Sequence, residues 1–160
     1  MTVVYSVNYG HSTSSLAPSL FLAGPTPRSP EVESWRPCAL KLLQKQGYEG
    51  LVFVPEPEAG PLAWNWPKQD QLNWERVHLN QARVILFWIP RSEDLPGLTT
   101  NLEFGMWLQK DPTKVVFGSP PSAWKMDALE YYATIYGVER HMSLEATVEA
   151  GLNRISHTSR

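Results

Sequence analysis

The chain has 160 residues, a formal net charge of −2 and one cysteine. This length predicts a single domain over residues 1–160, and the weak negative charge argues against nucleic-acid binding, which usually requires a basic surface. One cysteine excludes an intramolecular disulfide, and neither a signal peptide nor a membrane span is evident, so we expect a cytoplasmic protein without a membrane partner.

The N-terminal part of the chain alternates apolar runs with a segment of helical spacing. Strands are predicted at residues 2–7, 19–23 and 51–54. Residues 1–18 are expected to form an N-terminal extension, within which residues 8–18 are a Ser-rich loop. Ser29 as N-cap and Pro30 at the first helical position predict a helix that includes Val32 and ends at Gln46-Gly47.

The rest of the chain continues this alternation. Strands are predicted at residues 84–89, 114–118 and 140–142, and helices at residues 70–82, 100–110, 121–136 and 144–155. Leu72, Val77, Tyr132 and Ile135 are expected on the inner faces of their helices. Strands that alternate with helices predict a parallel sheet with right-handed crossovers. The predicted fold class is therefore α/β, a three-layer flavodoxin-like or Rossmann-like domain with four or five core strands.

The first candidate site residue is Glu103, at the start of the helix that follows the strand at residues 84–89. Ligands of open α/β sheets bind just beyond the carboxyl ends of strands, where this carboxylate is expected. Thr100 and Asn101 are candidates for substrate contacts beside it. Thr100 and Glu103 also have the spacing of a capping box, which stabilises a helix start. From the residues alone, the catalytic and the capping interpretations both stay open.

A second candidate is the turn from Gly24 to Arg28, after the strand at residues 19–23. Glycine lets a ligand approach the backbone, and Arg28 could hold a phosphate or a carboxylate. The turn matches neither GxGxxG nor the P-loop pattern, which disfavours a Rossmann cofactor site or an NTPase. The alternative is a tight strand-to-helix connection that needs glycine for backbone reasons.

Other residues give weaker signals. Glu75 could reach the same edge of the sheet, although a glutamate on a helix is more often solvated. The four histidines lack a ligand spacing such as HExxH, so no metal site is expected. No GxSxG motif occurs, and Cys38 is expected to be inert packing on the apolar face of a helix.

Several short motifs occur in a specific order: SLFLAGPTPR, a helix with a tryptophan, LVFVPEPE, WERxxLxxARVILFWIP and TTNLEFG. Together they resemble the nucleoside 2-deoxyribosyltransferase family, in particular its 2-deoxyribosyltransferase-like branch, over residues 19–152. The resemblance implies a flavodoxin-like enzyme that cleaves the N-glycosidic bond of 2′-deoxynucleosides and transfers the sugar to another base. Related members hydrolyse nucleotides instead.

The resemblance also implies roles for individual residues. Glu103 lies in the E-x-G context of the family's nucleophile, and the family's acid on the preceding helix falls near Glu75. The residues that would line the pocket are Gly24, Pro25 and Thr26. The family usually has an aspartate six residues before the nucleophile, where this chain has Gly97, and Asp94 is the candidate substitute.

The implied mechanism is retaining glycosyl transfer through a covalent glycosyl-enzyme, and it requires no cofactor or metal. Glu103 must be ionised to attack, and a helix N-terminus is expected to lower its pKa. Trp64, Trp66 and Trp88 are candidates for stacking on the base.

Three functions remain open: a deoxyribosyltransferase, a nucleoside or nucleotide N-glycosidase, and a non-catalytic nucleotide-binding module. The expected ligands are a nucleoside or nucleotide and a free nucleobase. Family members complete their sites with residues of a neighbouring subunit, so we expect a homo-oligomer. Tyr131, Tyr132 and Tyr136 would suit its interface.

Overall fold

The computed structural model describes residues 1–6 and 18–158, in which apolar runs form strands and the segments between them form helices. The strands are β1 (Thr2–Tyr5), β2 (Ser19–Ala23), β3 (Leu51–Val54), β4 (Val84–Trp88), β5 (Val115–Gly118) and β6 (Arg140–His141). The helices are α1 (Arg36–Lys45), α2 (Lys68–Gln81), α3 (Leu98–Lys110), α4 (Asp127–Ile135) and α5 (Leu144–Thr158), with short 3-10 helices at Pro61–Ala63 and Pro112–Lys114.

The strands form one sheet in the order β1-β3-β2-β4-β5-β6, and every pair is parallel. The predicted strands at residues 19–23 and 51–54 are confirmed, as are those at 84–89 and 114–118 apart from one terminal residue each. The predicted edge strand at residues 2–7 is β1, which ends at Tyr5; Ser6 is in a turn, and Val7 lies outside the described residues. Pro18 aside, the predicted loop at residues 8–18 also lies outside them.

Each face of the sheet has its own core. Along β2, Leu20 and Leu22 pack with α1 and α5, whereas Phe21 and Ala23 pack with α2, α3 and α4. Strands buried on both faces are read in sequence as continuous apolar runs rather than as alternation. Each large apolar side chain buried in this way stabilises the fold by about 2 kcal/mol. The three-layer flavodoxin-like α/β prediction is therefore confirmed.

The predicted start of α1 at Ser29 and Pro30 is wrong. Residues 29–32 form a turn, and α1 begins at Arg36 with Pro37 in its first turn. A helix from Pro30 would place Pro37 in its interior, where proline lacks the N–H and clashes with the preceding turn. In the first turn no partner for that N–H is needed, so Pro37 rather than Pro30 marks the helix start.

Several residues predicted to face the core are exposed instead. Leu72 and Val77 lie on the outer face of α2, and Tyr132 and Ile135 lie on the outer face of α4. Cys38 is also exposed, which corrects its assignment to an apolar face. In α2 the sheet is contacted by Trp74, and Glu75 is buried beside it. Within the described residues, no helix is long and apolar enough to cross a membrane.

Candidate functional site

A cavity of about 390 Å³ opens at the carboxyl edge of the sheet, beyond β2 and β4. Its walls come from the loop between β2 and α1, from α2, and from the loop that leads into α3. Adjacent parallel strands deliver their carboxyl ends to the same edge, so loops distant in sequence meet there. Gly24 and Glu103, predicted to share one cleft, both line this cavity.

A buried arginine holds the loop between β2 and α1 in place. Arg36 is only 1% exposed. It donates hydrogen bonds to the carbonyl oxygens of Leu22 (3.0 Å) and Gly24 (2.8 Å). It also donates to the Thr26 hydroxyl at 3.2 Å. Glu56, which follows β3, accepts from Arg36 at 2.5 Å and balances its charge. Carbonyls that would otherwise require water are thereby satisfied inside the protein.

Glycines bring the cavity walls close together. Gly24 has φ of +149°, and a Cβ there would lie 2.1 Å from the Trp88 carbonyl oxygen. Gly97 has φ of +60°, and a Cβ there would lie 2.6 Å from Cγ of Pro25. The two loops therefore touch at positions that no other residue type can occupy without displacing its neighbour.

The helix start at Gly97 corrects the capping interpretation of Glu103. Helix α3 begins at Leu98, its cap residue is Gly97, and no side chain caps it. Thr100 is consequently the third residue of the helix, and Glu103 lies in its second turn. A capping box requires the glutamate at the third helical position, so that prediction is wrong. Glu103 instead projects into the cavity.

Glu103 and Glu75 form a hydrogen-bonded pair at the base of the cavity. Burial, reinforced by the negative charge of Glu75, raises the pKa of Glu103 to about 8. Burial also raises the pKa of Glu75, whereas hydrogen bonds from Gln71 and Glu103 oppose that rise. The prediction that a helix N-terminus lowers the pKa of Glu103 is therefore wrong. Two carboxyl groups in hydrogen-bond contact favour a state in which one is ionised and the other holds a proton.

Gln71 connects this pair to the cavity mouth. Its Nε2 donates to Oε1 of Glu75 at 2.9 Å, and its Oε1 accepts from Nζ of Lys68 at 3.0 Å. Glu75 itself is only 8% exposed, so the alternative of a solvated helix glutamate is excluded. The three residues lie on one face of α2, which runs from the mouth at Lys68 to the base at Glu75.

A side cavity of about 320 Å³ adjoins the first one. The residues that line both are Thr26, Arg28, Lys68 and Gln71. Its far wall contains Trp64 and Trp66, both half-buried. By contrast, Trp88 is buried in the core against α1 and α5 and lines neither cavity, so its predicted stacking role is not supported. The side cavity thus combines two indole rings with two cations.

The structure brings together eight of the nine residues predicted for the site. They are Gly24, Pro25, Thr26, Arg28, Glu75, Asp94, Thr100 and Glu103. The ninth, Asn101, lies outside the cavity on the exposed side of α3, where its side-chain oxygen accepts a hydrogen bond from Arg91. Asp94, proposed to replace the aspartate missing at Gly97, is exposed at the cavity rim.

Sequence reasoning missed Arg36, Lys68 and Gln71. Lys68, Gln71 and Glu75 are separated by three and four residues, a spacing that places side chains on one helix face and could have identified them. Arg36 lies in the first turn of a helix, where a cation is unfavourable for the helix dipole, and this anomaly indicates a buried partner.

The arrangement is suited to acid–base and nucleophilic chemistry by paired carboxyl groups. One group can be ionised while the other holds a proton. Among the described residues, no cluster of three or more His, Cys, Asp or Glu side chains could hold a metal ion.

Comparison with known protein families gives a match over the part of the chain that forms these cavities. The sequence model of a family described as nucleoside 2-deoxyribosyltransferase like matches residues 17–122. The matched segment contains β2 to β5, both cavities and all nine candidate residues. No curated protein matches the chain significantly.

Proposed function

Because the chain belongs to the nucleoside 2-deoxyribosyltransferase-like family, we propose that it cleaves the N-glycosidic bond of a 2′-deoxynucleoside and transfers the sugar to another base. The observation that carries the proposal is the pair of buried Glu75 and half-buried Glu103, which line the cavity at the carboxyl edge of the sheet.

Glu103 is the proposed nucleophile and Glu75 the proposed acid. The Glu103 carboxylate attacks C1′ of the sugar, the C1′–N bond breaks with its electrons on the base, and Glu75 gives its proton to that base. An acceptor base then attacks C1′ from the face that the first base left, releases Glu103 and returns a proton to Glu75. Configuration at C1′ is retained, as expected for a double displacement.

The side cavity is the proposed subsite for the base. It adjoins Glu75 through Gln71, so a base held there can receive the proton. Trp64 and Trp66 provide aromatic surfaces for stacking, and Arg28 supplies a cation that would stabilise negative charge on the departing base.

A second copy of the chain is the proposed cover of the cavity mouth. Leu98, Leu102 and Met106 form an exposed row on α3, and Tyr131 and Ile135 extend it onto the neighbouring α4. Leu98 also lines the cavity, so this apolar row is continuous with the site. Exposed apolar patches of this kind usually mark protein–protein contacts. A partner there would exclude the water that competes with the acceptor base.

The test is a product analysis with added bases. The purified protein is incubated with each of the four 2′-deoxynucleosides and a different free base, and products are separated by chromatography. Formation of the exchanged deoxynucleoside supports transfer. Free sugar without the exchanged deoxynucleoside would indicate hydrolysis instead of transfer. The same assay with 2′-deoxynucleoside 5′-phosphates would identify a nucleotide N-glycosidase.

The matched control for this assay is Glu103→Gln. Any product that persists unchanged in that variant comes from a contaminant or from another site. Binding of a deoxynucleoside by calorimetry, with no product in any mixture, would instead identify a non-catalytic binding module.

A further inference from the structure

The hydrogen-bond chain along α2 has a direction that the side-chain chemistry determines. Lys68 has only donors, so it must meet the amide oxygen of Gln71, and it does so at 3.0 Å. That contact turns the amide nitrogen of Gln71 toward Oε1 of Glu75, at 2.9 Å. An N–H donor favours the ionised form of a carboxyl group. In this orientation Gln71 therefore favours the carboxylate form of Glu75.

The remaining hydrogen bond of the pair is consistent with this assignment. The contact between the two carboxyl groups raises the pKa of Glu103 and lowers that of Glu75, which favours the shared proton on Glu103. A protonated Glu103 cannot attack an anomeric carbon, and an ionised Glu75 cannot protonate a base. These contacts consequently favour the protonation state opposite to the one that the proposed reaction needs.

We propose that Gln71 is a positioning residue whose side-chain amide, oriented by Lys68, determines which of Glu75 and Glu103 carries the shared proton. Glutamine suits this role because its amide has a donor at one end and an acceptor at the other. Rotation of the amide by half a turn presents Oε1 to Glu75 and stabilises Glu75 as the acid. Lys68 must release Oε1 for that rotation, and its position at the cavity mouth lets an entering substrate compete for it.

The proton step is a transfer within the pair. The O–H bond of Glu103 breaks and an O–H bond forms on Glu75, so no proton enters or leaves. Gln71 Oε1 then accepts a hydrogen bond from the new Glu75 hydroxyl. The result is an ionised nucleophile beside a protonated acid.

The other charged groups around the pair do not favour a proton on one carboxyl group over the other. Arg36, on α1, lowers the pKa of both carboxyl groups, and so does the charge of Lys68. Arg28 and Asp94 line the same cavity from the loops after β2 and β4. Gln71, by contrast, donates a hydrogen bond to Glu75 alone.

The experiment is a carbon NMR titration of the protein labelled at the glutamate side-chain carboxyl carbons. Glu75→Gln and Glu103→Gln identify the two signals. Gln71→Met keeps the length of the side chain but removes the amide. We expect the pKa of Glu75 to rise and that of Glu103 to fall, each by about one unit, since the proton is no longer directed to Glu103. The control is Gln69→Met, an exposed glutamine on the same helix, which should leave both titrations unchanged.

Lys68→Met is the second variant, and it frees the amide without removing it. Loss of a cation raises the pKa of both carboxyl groups, but loss of the fixed amide adds a further rise for Glu75 only. We therefore expect the shift of Glu75 to exceed that of Glu103. Shifts of both groups in the same direction in Gln71→Met, or equal shifts in Lys68→Met, would overturn the inference.

The inference rests on the proposed roles of Glu75 and Glu103, but its test needs no turnover. Opposite shifts in Gln71→Met with no exchange of bases would support the proton assignment and reject the proposed reaction. Normal exchange of bases without opposite shifts would support the proposed reaction and reject the proton assignment. With an active substrate, Gln71→Met should also move the pH optimum of kcat, which a merely structural residue would not do.

Discussion

Arg36 and Glu56 form a buried ion pair with 2.5 Å between Nη1 and Oε1, beneath the loop that supplies Gly24, Pro25 and Thr26 to the cavity. Glu56 also accepts hydrogen bonds from the Ser34 hydroxyl, at 2.8 and 3.0 Å. The loop carbonyls depend on Arg36, and Arg36 depends on Glu56 for its counter-charge. The shape of the loop between β2 and α1 therefore relies on a residue that follows a different strand.

Glu56→Gln should destabilise the protein strongly. The amide keeps the size of the side chain but leaves the Arg36 charge buried without its partner, which typically costs about 3–5 kcal/mol. Urea unfolding measures the loss. The control is Glu58→Gln, because Glu58 is exposed two residues away and its replacement should change stability by less than about 0.5 kcal/mol. Similar effects of the two substitutions would show that the ion pair is not what holds the loop.

Gly24→Ala should damage the site and the fold together. The new Cβ would lie 2.1 Å from the Trp88 carbonyl oxygen at a φ of +149°, so the backbone must shift. A loss of about 2 kcal/mol or more is expected in thermal or urea unfolding. Gly105→Ala is the control: nothing lies within 4 Å of its Cβ, and in a helix alanine should stabilise by about 0.5–1 kcal/mol. If both substitutions stabilised the protein, or both destabilised it, the geometry of the loop at Gly24 would be contradicted.

Glu103→Gln should make the protein more stable at neutral pH. The pKa of Glu103 is raised from its ordinary value of 4.5 to about 8, so between these pH values the folded chain keeps a proton that the unfolded chain has lost. Wild-type stability therefore falls as pH rises through this range. Glutamine does not titrate, so the advantage of the variant should be absent near pH 4 and reach a few kcal/mol above pH 8.

Chemical denaturation at a series of pH values measures this difference. Glu93→Gln serves as the comparison because Glu93 is exposed in the loop before α3. Its stability profile should follow that of the wild type. An advantage of Glu103→Gln that is the same at pH 4 and pH 8 would mean that burial of the charge is not its cause.

The effects of replacing Glu75 and of replacing Glu103 on turnover should depend differently on the leaving group of the substrate. Glu103→Gln removes the proposed nucleophile, so turnover of any substrate should fall at least about 10³-fold, equivalent to roughly 4 kcal/mol. Glu75→Gln removes the proposed acid, which a nitrophenyl 2-deoxyriboside does not need because nitrophenolate leaves unprotonated. That variant should lose turnover of nucleosides but retain most of its turnover of the nitrophenyl substrate. Near-normal turnover of nucleosides by Glu103→Gln would reject the covalent mechanism at this residue.

Leu102→Glu should dissociate the proposed oligomer. Leu102 is 64% exposed at the middle of the apolar row on α3, and a charge buried in an interface there would be unpaired. Light scattering at micromolar concentration should show the mass of the wild type to be a multiple of that of the variant. Leu62→Glu is the control, since Leu62 is 53% exposed but lies outside the row. A wild type with the mass of one chain would rule out this interface.

The parallel sheet and eight of the residues that line the cavity could be predicted from the amino-acid sequence. Strands such as β4 are continuous apolar runs because a parallel sheet is covered on both faces, and that pattern can be read directly. Gly24 and Glu103 could be assigned to one edge because adjacent parallel strands end together. Both signals are local in the chain, so neither needs a tertiary contact to be recognised.

The tertiary structure alone decided what surrounds the carboxyl groups. From the local sequence, Glu75 could be a solvated helix residue or an acid, and Glu103 could be a helix cap or a nucleophile. The local pattern is the same whether or not a second carboxyl group faces the residue. Their pKa values depend on burial and on each other, and the pair is brought together by α2 and α3. The same limit applies to Arg36 and Glu56, which are 20 residues apart and meet only because β2 and β3 are neighbours in the sheet. Electrostatic energies follow distance in space, and the order of residues along the chain does not contain that distance.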